Sequence, residues 1–121
     1  MTALTDGPVS IVWNDHGAFD AQAIALDENG RLDKQTLMSR LREAFNFPDY
    51  FGENWDAVYD LLLNHADVLE GPSIWRFSID RSSSVDEDDL AIWIELMTDV
   101  CAYAESQGQP LRVVIERGQK V

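Results

Sequence analysis

This sequence contains a single cysteine, few basic residues and no long apolar run. Cys101 is the only cysteine, so an intramolecular disulfide is excluded and the cytoplasm, a reducing compartment, is the simplest prediction. The apolar runs are short, as at residues 61–63 and 113–115, far below the ~20 residues that a membrane span needs. Residues 1–13 contain no Lys or Arg and no long apolar core, so we expect no secretory signal there.

The shortage of basic residues is the strongest compositional signal. Nine Lys and Arg residues stand against 22 Asp and Glu residues, which gives a formal net charge of −13. Nucleic-acid binders present a basic surface and anionic membranes repel acidic proteins, so neither is expected as a partner. Residues 43–75 and 82–111 contain no Lys or Arg at all. Such stretches are typical of a solvated, self-repelling surface, and they also suit a cationic partner.

Catalytic and metal-binding motifs are scarce as well. One cysteine and two distant histidines cannot form the usual zinc clusters. The acidic segment from Asp80 fails as a calcium loop, because Val85 and Ala91 stand where glycine and glutamate are required. The sequence contains no glycine-rich phosphate loop and no dinucleotide fingerprint. We therefore expect no cofactor, no metal and no enzymatic activity, although a small hydrolase that uses paired carboxylates stays open as an alternative.

Residues 19–121 are predicted to form one α/β domain. Apolar periodicity and turn signals indicate strands at 21–26, 73–79 and 111–116 and helices at about 34–45, 55–64 and 86–106. Asp33 and Asn54 are predicted helix N-caps, and Gly108 is predicted to stop the last helix. The order strand–helix–helix–strand–helix–strand favours a parallel sheet covered by helices. Residues 1–18 are expected to be an N-terminal extension, either an added edge strand or a loosely attached segment.

Residues 48–64 carry the most informative pattern. Pro48 is expected to end the first helix, and Asn54 to cap the second. Asp56 and Asp60 are four residues apart, so they share one helix face, where like charges repel and slightly destabilise the helix. Carboxylates accept hydrogen bonds from Arg and Lys, so this face suits a cationic partner. Periodicity by itself favours the plainer interpretation, an ordinary solvated helix whose aromatic residues cover the core.

The same stretch resembles the signature of the barstar family. That signature is a loop of proline, acid, two aromatics, glycine, acid and asparagine, followed by a helix with Asp-Ala and a second Asp four residues on. Here it is Phe47-Pro48-Asp49-Tyr50-Phe51-Gly52-Glu53-Asn54-Trp55-Asp56-Ala57-Val58-Tyr59-Asp60-Leu61-Leu62. Weaker similarity extends over residues 21–117. The resemblance implies a three-stranded parallel sheet packed with helices, in a protein that blocks a basic barnase-type ribonuclease inside the bacterium that produces it.

The resemblance also implies a partner-binding face. It falls on Tyr50, Asn54, Trp55, Asp56, Tyr59 and Asp60, with Gly52 allowing close backbone approach and Asp60 as the main phosphate mimic. We add Asn64, at the end of the same stretch, to this candidate face. Leu63, Asn64, His65 and Tyr103 depart from the family pattern, so the expected partner is a small basic ribonuclease or a related basic toxin. The alternative is a barstar-fold antitoxin or acidic interaction module for a basic partner that is not a ribonuclease.

Overall fold

The structure of the protein is a computed structural model, and residues 10–18 and 22–119 are described from it. The elements, in chain order, are β1 (Ile11–Ala18), β2 (Ile24–Ala25), β3 (Arg31–Leu32), α1 (Lys34–Ala44), α2 (Trp55–Asp67), β4 (Ser73–Asp80), β5 (Ser84–Val85), α3 (Glu87–Ser106) and β6 (Leu111–Gln119). The main sheet has the strand order β1-β6-β4-β2, and every pair in it is parallel. β3 and β5 pair separately, also in parallel. The predicted α/β fold is confirmed, with β6-β4-β2 as its three-stranded parallel sheet.

Strand β1 adds a fourth strand to the edge of that sheet beside β6. An added edge strand was one of the two expectations for residues 1–18, and the described strand runs to Ala18 through polar residues. Pairing with β6 explains this length, because a sheet partner satisfies backbone groups whatever the side chains are. The register shifts between Asn14 and Gly17, which makes the edge irregular. The division of the chain into an extension and a separate domain stays a prediction.

The helix ends follow local signals that the sequence carries. The Asp33 side chain accepts a 3.0 Å hydrogen bond from the Thr36 backbone N–H, as predicted for the N-cap of α1. α1 ends at Ala44, close to the predicted residue 45, and Pro48 lies beyond the residues that close the helix. The helix is closed instead by Asn46, whose φ of 52° turns the chain so that the Phe47 N–H donates to the Arg42 carbonyl at 3.0 Å. This is the closing arrangement that left-handed residues give to helix C-termini.

The ends of α2 and α3 are also set by the residues that follow each helix. α3 stops as predicted, because Gly108 adopts a φ of 79° and the Gln109 N–H donates to the Ala104 carbonyl at 3.0 Å. α2 continues to Asp67, beyond the predicted 64, and its C-cap is Val68, whose backbone N–H donates to the His65 carbonyl at 3.4 Å. The extra turn adds buried Ala66 to its apolar side.

The core lies between the main sheet and the helices. Phe77 and Ile79 on β4 and Val113 and Ile115 on β6 are fully buried and come from alternate strand positions. Phe77 meets Trp93 of α3 edge to face, with ring centroids 5.0 Å apart. Burying each such side chain contributes about 1.5–3 kcal/mol before entropy is counted. α3 contacts β6 and β1, and α2 packs against α3; α2 is thereby held with one side facing solvent.

Candidate functional site

Helix α2 has a buried side and a solvated side, each repeating every four residues. Val58, Leu62 and Ala66 are buried against the core. Asp56, Asp60 and Asn64 are exposed along the opposite stripe, which we call the acidic face of α2. Half-buried Trp55 and Tyr59 run along its border. Burial of the apolar stripe therefore fixes the orientation of the acidic face, and both predicted aspartates lie on it.

The loop before α2 is anchored by two phenylalanines. Phe47 and Phe51 are buried and touch edge to face with ring centroids 4.9 Å apart. The Phe51 N–H donates to the Pro48 carbonyl at 2.9 Å, which closes a turn. Tyr50 lies between these anchors and is 82% exposed. Anchors on both sides of Tyr50 lower the cost of ordering the loop backbone when a partner binds.

The junction between loop and helix depends on Asn54. Its Oδ1 accepts a 2.8 Å hydrogen bond from the Ala57 N–H, so the predicted N-cap is confirmed. Its Nδ2 donates to the Gly52 carbonyl at 3.4 Å. A Cβ on residue 52 would lie 2.9 Å from this Nδ2. Gly52 thus has a local role in the helix cap, besides the backbone approach that the resemblance implies. Glu53, between them, has a left-handed φ of 51°.

A groove separates α2 from α3 beside the acidic face. Its volume is about 350 Å³, and its lining comes from Trp55, Asp56, Tyr59, Ile92, Glu95, Leu96 and Asp99. Sequence reasoning did not place the α3 residues next to α2, because the contact depends on how two distant helices pack. The available signal was their spacing, since positions 92, 95, 96 and 99 follow one another at i, i+3, i+4 and i+7 along one helix side.

The structure therefore brings only some of the predicted partner-binding residues close together. Trp55, Asp56 and Tyr59 share the groove with α3, and Asp60 lies one turn further along the acidic face. Asn64 lies about 12 Å along the helix from Asp56, by the rise of an α-helix. It lines a different, smaller cleft of about 180 Å³ with Pro48 and His65.

The site is negatively charged with little internal compensation. Among the described residues, Glu53 forms an ion pair with Arg42 at 4.0 Å. Within that same part of the chain, no ion pair involves Asp56 or Asp60. Solvated, unpaired carboxylates on a folded helix remain available to cations of another molecule.

Tyr103 of α3 and Asp67 at the end of α2 form a direct link between the two helices. The Tyr103 hydroxyl donates to the Asp67 carboxylate at 2.5 Å. This hydrogen bond, followed by desolvation and the negative charge of Asp67, raises the pKa of Tyr103 above its usual value. Both groups are thereby engaged with each other at the far end of the α2–α3 contact.

The described residues provide little for catalysis or metal binding. Burial raises the pKa of the Cys101 thiol to about 11, so it stays protonated at neutral pH. His65 packs edge to face on Phe45 with ring centroids 5.1 Å apart, and the side chain of His16 lies outside the described residues. No cluster of three or more His, Cys, Asp or Glu in the described part of the chain could hold a metal ion. None of its helices is long and apolar enough to cross a membrane.

Comparison with known proteins agrees with the resemblance noted in the sequence. A family model described as Barstar (barnase inhibitor) matches residues 21–116. The matched region includes all three helices, the loop before α2 and the strands β2 and β4, whereas β1 lies before it. A search of curated proteins found no significant match. The family match spans well over half of the sequence, and the chain therefore belongs to the barstar family.

Proposed function

We propose that this protein binds and blocks a basic barnase-type ribonuclease through the acidic face of α2 and the loop before it. The observation that carries the proposal is the pair Asp56 and Asp60, exposed and without an ion-pair partner among the described residues. Membership in a family described as barnase inhibitors supplies the class of partner. The proposed contact residues are Tyr50, Gly52, Asn54, Trp55, Asp56, Tyr59, Asp60 and Asn64.

The proposed mechanism is occupation of the enzyme's phosphate site. A ribonuclease must hold the phosphates of RNA with cationic side chains, and a carboxylate can accept the same hydrogen bonds. Asp60 is our candidate for this role because it lies midway along the exposed stripe of α2. Exposed Tyr50 and half-buried Trp55 and Tyr59 add aromatic surface of the kind enriched at interfaces. The inhibitor would then exclude RNA by covering the site, with no chemical step of its own.

We also propose that the encounter takes place in the cytoplasm. The lone cysteine supports this setting, because Cys101 is a buried thiol that needs no oxidising environment. An inhibitor held there would protect the cell's own RNA from the enzyme before export.

The deciding experiment measures cleavage of RNA by purified barnase while the protein is titrated in. We expect loss of cleavage at a molar ratio of one to one. Asp60→Ala should weaken inhibition by at least about 30-fold, since a central interface anchor contributes about 2 kcal/mol or more. The matched control is Glu70→Ala, which removes an exposed carboxylate from the loop after α2 and should change inhibition less than about twofold.

Two results would contradict the proposal. If barnase still cleaves RNA in the presence of an excess of this protein, barnase is not one of its targets. Affinity capture with the wild-type chain and a nuclease assay of the captured protein then separates another ribonuclease from a toxin of a different kind. If Asp60→Ala inhibits as well as the wild type, the acidic face of α2 is not the contact surface.

A further inference from the structure

A cleft with a volume of about 320 Å³ lies at the end of the main sheet where β4 and β6 begin. Its lining is mainly apolar and comes in part from Pro72, Ile74, Pro110 and Leu111. Leu111 is buried, whereas Ile74 is 51% exposed. None of the residues proposed to contact the ribonuclease lines this cleft. A large aliphatic side chain left half in water beside a concave apolar surface favours a further apolar group there, because that group would remove the surface from water.

The chain that precedes β1 leads directly into this cleft. Ser10 lines it, and the Ser10 carbonyl accepts a 2.8 Å hydrogen bond from the Val113 N–H. Because β1, β6 and β4 are parallel, the chain enters β1 at the same end of the sheet where β6 and β4 begin. Nine residues of the sequence precede Ser10, and an extended segment of that length reaches up to about 30 Å. The segment therefore starts at the cleft and is long enough to cross it.

The sequence of this segment matches the cleft in polarity. Residues 1–9 include Leu4, a large aliphatic residue, six positions before Ser10. Gly7 and Pro8 stand between the two, and this dipeptide is typical of a turn. A turn at that point sends the chain back towards the sheet end that it has just left. Leu4 is then the side chain best placed to cover the apolar lining of the cleft.

One charge in the segment also matches the cleft. Asp6 is the only charged side chain among residues 1–9. Arg112 is exposed on the lining, and no ion pair involves it within the part of the chain that the structure describes. Glu105 lines the cleft too, so a carboxylate is favoured only on the side of Arg112. A carboxylate accepts charge-assisted hydrogen bonds from a guanidinium, which makes Asp6 the natural partner of Arg112.

We infer that residues 4–9 fold back from Ser10 and occupy this cleft, with Leu4 against Ile74 and the Asp6 carboxylate on the Arg112 guanidinium. The occupant is the chain's own segment, and its contact with the first residues of β4 and β6 fastens β1 to the edge of the sheet. The family match begins at residue 21, so this contact uses a part of the chain that precedes the matched region. The inference does not rest on the proposed function, and its test needs no ribonuclease.

The test is NMR spectroscopy of the full ¹³C,¹⁵N-labelled chain, in which nuclear Overhauser effects report methyl groups that are in contact. We expect such effects between the Leu4 methyl groups and the δ-methyl group of Ile74. Leu4→Asp should abolish them and shift the amide signals of Ile74 and Leu111. The matched control is Thr5→Asp, which introduces the same charge at the next position. It should keep the methyl contacts, because adjacent side chains of an extended segment point to opposite sides.

An exchange of charges tests the pairing of Asp6 with Arg112. Asp6→Arg and Arg112→Asp each bring like charges together, so each should reduce the intensity of the methyl contacts at least about twofold. The double variant restores an opposite pair and should recover the intensity of the wild type. Circular dichroism checks that every variant is folded. A double variant no closer to the wild type than either single variant would contradict the pairing, and with it the position of the segment.

Three further results would overturn the inference. One is the absence of any contact between residues 4–9 and the cleft in the wild type. Another is an equal effect of Leu4→Asp and Thr5→Asp, since the contact would then not depend on the apolar side chain. The third comes from a sample that mixes labelled and unlabelled chains. Methyl contacts that arise only between different chains would show that the cleft takes the segment of a second copy and not its own.

Discussion

Gly52 illustrates how one residue of the site is constrained by its neighbour. Its importance does not come from a positive φ, which the structure records at Gly30, Gly71 and Gly108 instead. It comes from the Asn54 amide, which lies 2.9 Å from the place where a Cβ would stand. The same amide group caps α2 through its Oδ1. A side chain at 52 would push the cap away from the helix that carries the acidic face.

Gly52→Ala should therefore destabilise the protein through the cap. Loss of an asparagine N-cap costs about 1 kcal/mol, and we expect a drop of that order in the free energy of unfolding, measured in urea. The control is a double-mutant cycle with Asn54→Ala. If the Cβ acts by displacing Asn54, Gly52→Ala should change stability little once the asparagine is gone. Additive effects of the two substitutions would show that residue 52 acts by another route.

At the scale of elements, the contact between α2 and α3 has a polar link at one end. The Tyr103 hydroxyl donates to Asp67, and the pKa of Tyr103 is raised above its usual value, first by this hydrogen bond. A raised pKa means that the folded protein holds the phenolic proton more firmly than the unfolded chain does. The stabilisation is therefore complete below the ordinary tyrosine pKa of about 10 and is lost as the pH rises through the higher folded value.

Tyr103→Phe removes this link, so its effect should depend on pH. We expect the wild type to be the more stable protein from about pH 7 to about pH 9, and the difference to shrink above about pH 10. Urea unfolding across this range measures it. Tyr50→Phe is the matched control, because Tyr50 is 82% exposed on the loop; it should leave the free energy of unfolding unchanged throughout. A difference for Tyr103→Phe that stays constant to the highest pH would contradict the proposed linkage.

The elements that sequence reasoning located well are those specified by neighbouring residues. The start of α2 follows from Asn54, and the end of α3 follows from Gly108, since each signal acts within a few residues. The end of α1 was assigned to Pro48, although Asn46 closes the helix, because asparagine adopts the left-handed conformation less predictably than glycine. The strands β3 and β5 have two residues each, which is too short for any periodicity.

At the scale of the molecule, the limit of sequence reasoning lies in contacts between distant segments. The predicted face on α2 needed only helical spacing, and the structure keeps Asp56 and Asp60 on one exposed stripe. The position of Glu95 beside that helix depends on the packing of α3 over the sheet, which no local pattern encodes. Strand β1 could be suggested but not paired, because its partner β6 lies about a hundred residues away along the chain. Both features join parts of the chain that only the fold brings together.

The charge of the whole molecule should act mainly on the rate at which the complex forms. A formal net charge of −13 produces a field that attracts a basic enzyme before contact, over a screening length of about 30 Å at 0.01 M salt and about 10 Å at 0.1 M. We therefore expect the association rate constant with barnase, measured by stopped flow, to fall at least about tenfold between 0.01 M and 0.5 M NaCl. The dissociation rate constant should change much less, because it depends on contacts that water and salt do not reach.

Two variants separate the field from the contacts. Glu70→Gln with Glu105→Gln removes one negative charge at each position, from −13 to −11, so it should slow association slightly and leave dissociation unchanged. Asp60→Ala removes one charge but also the proposed central contact, so it should act mainly by speeding dissociation. If salt leaves association unaffected and accelerates dissociation instead, the acidic surface contributes through direct contacts and the molecule exerts no steering. The excess of carboxylates outside the site would then be explained by solubility.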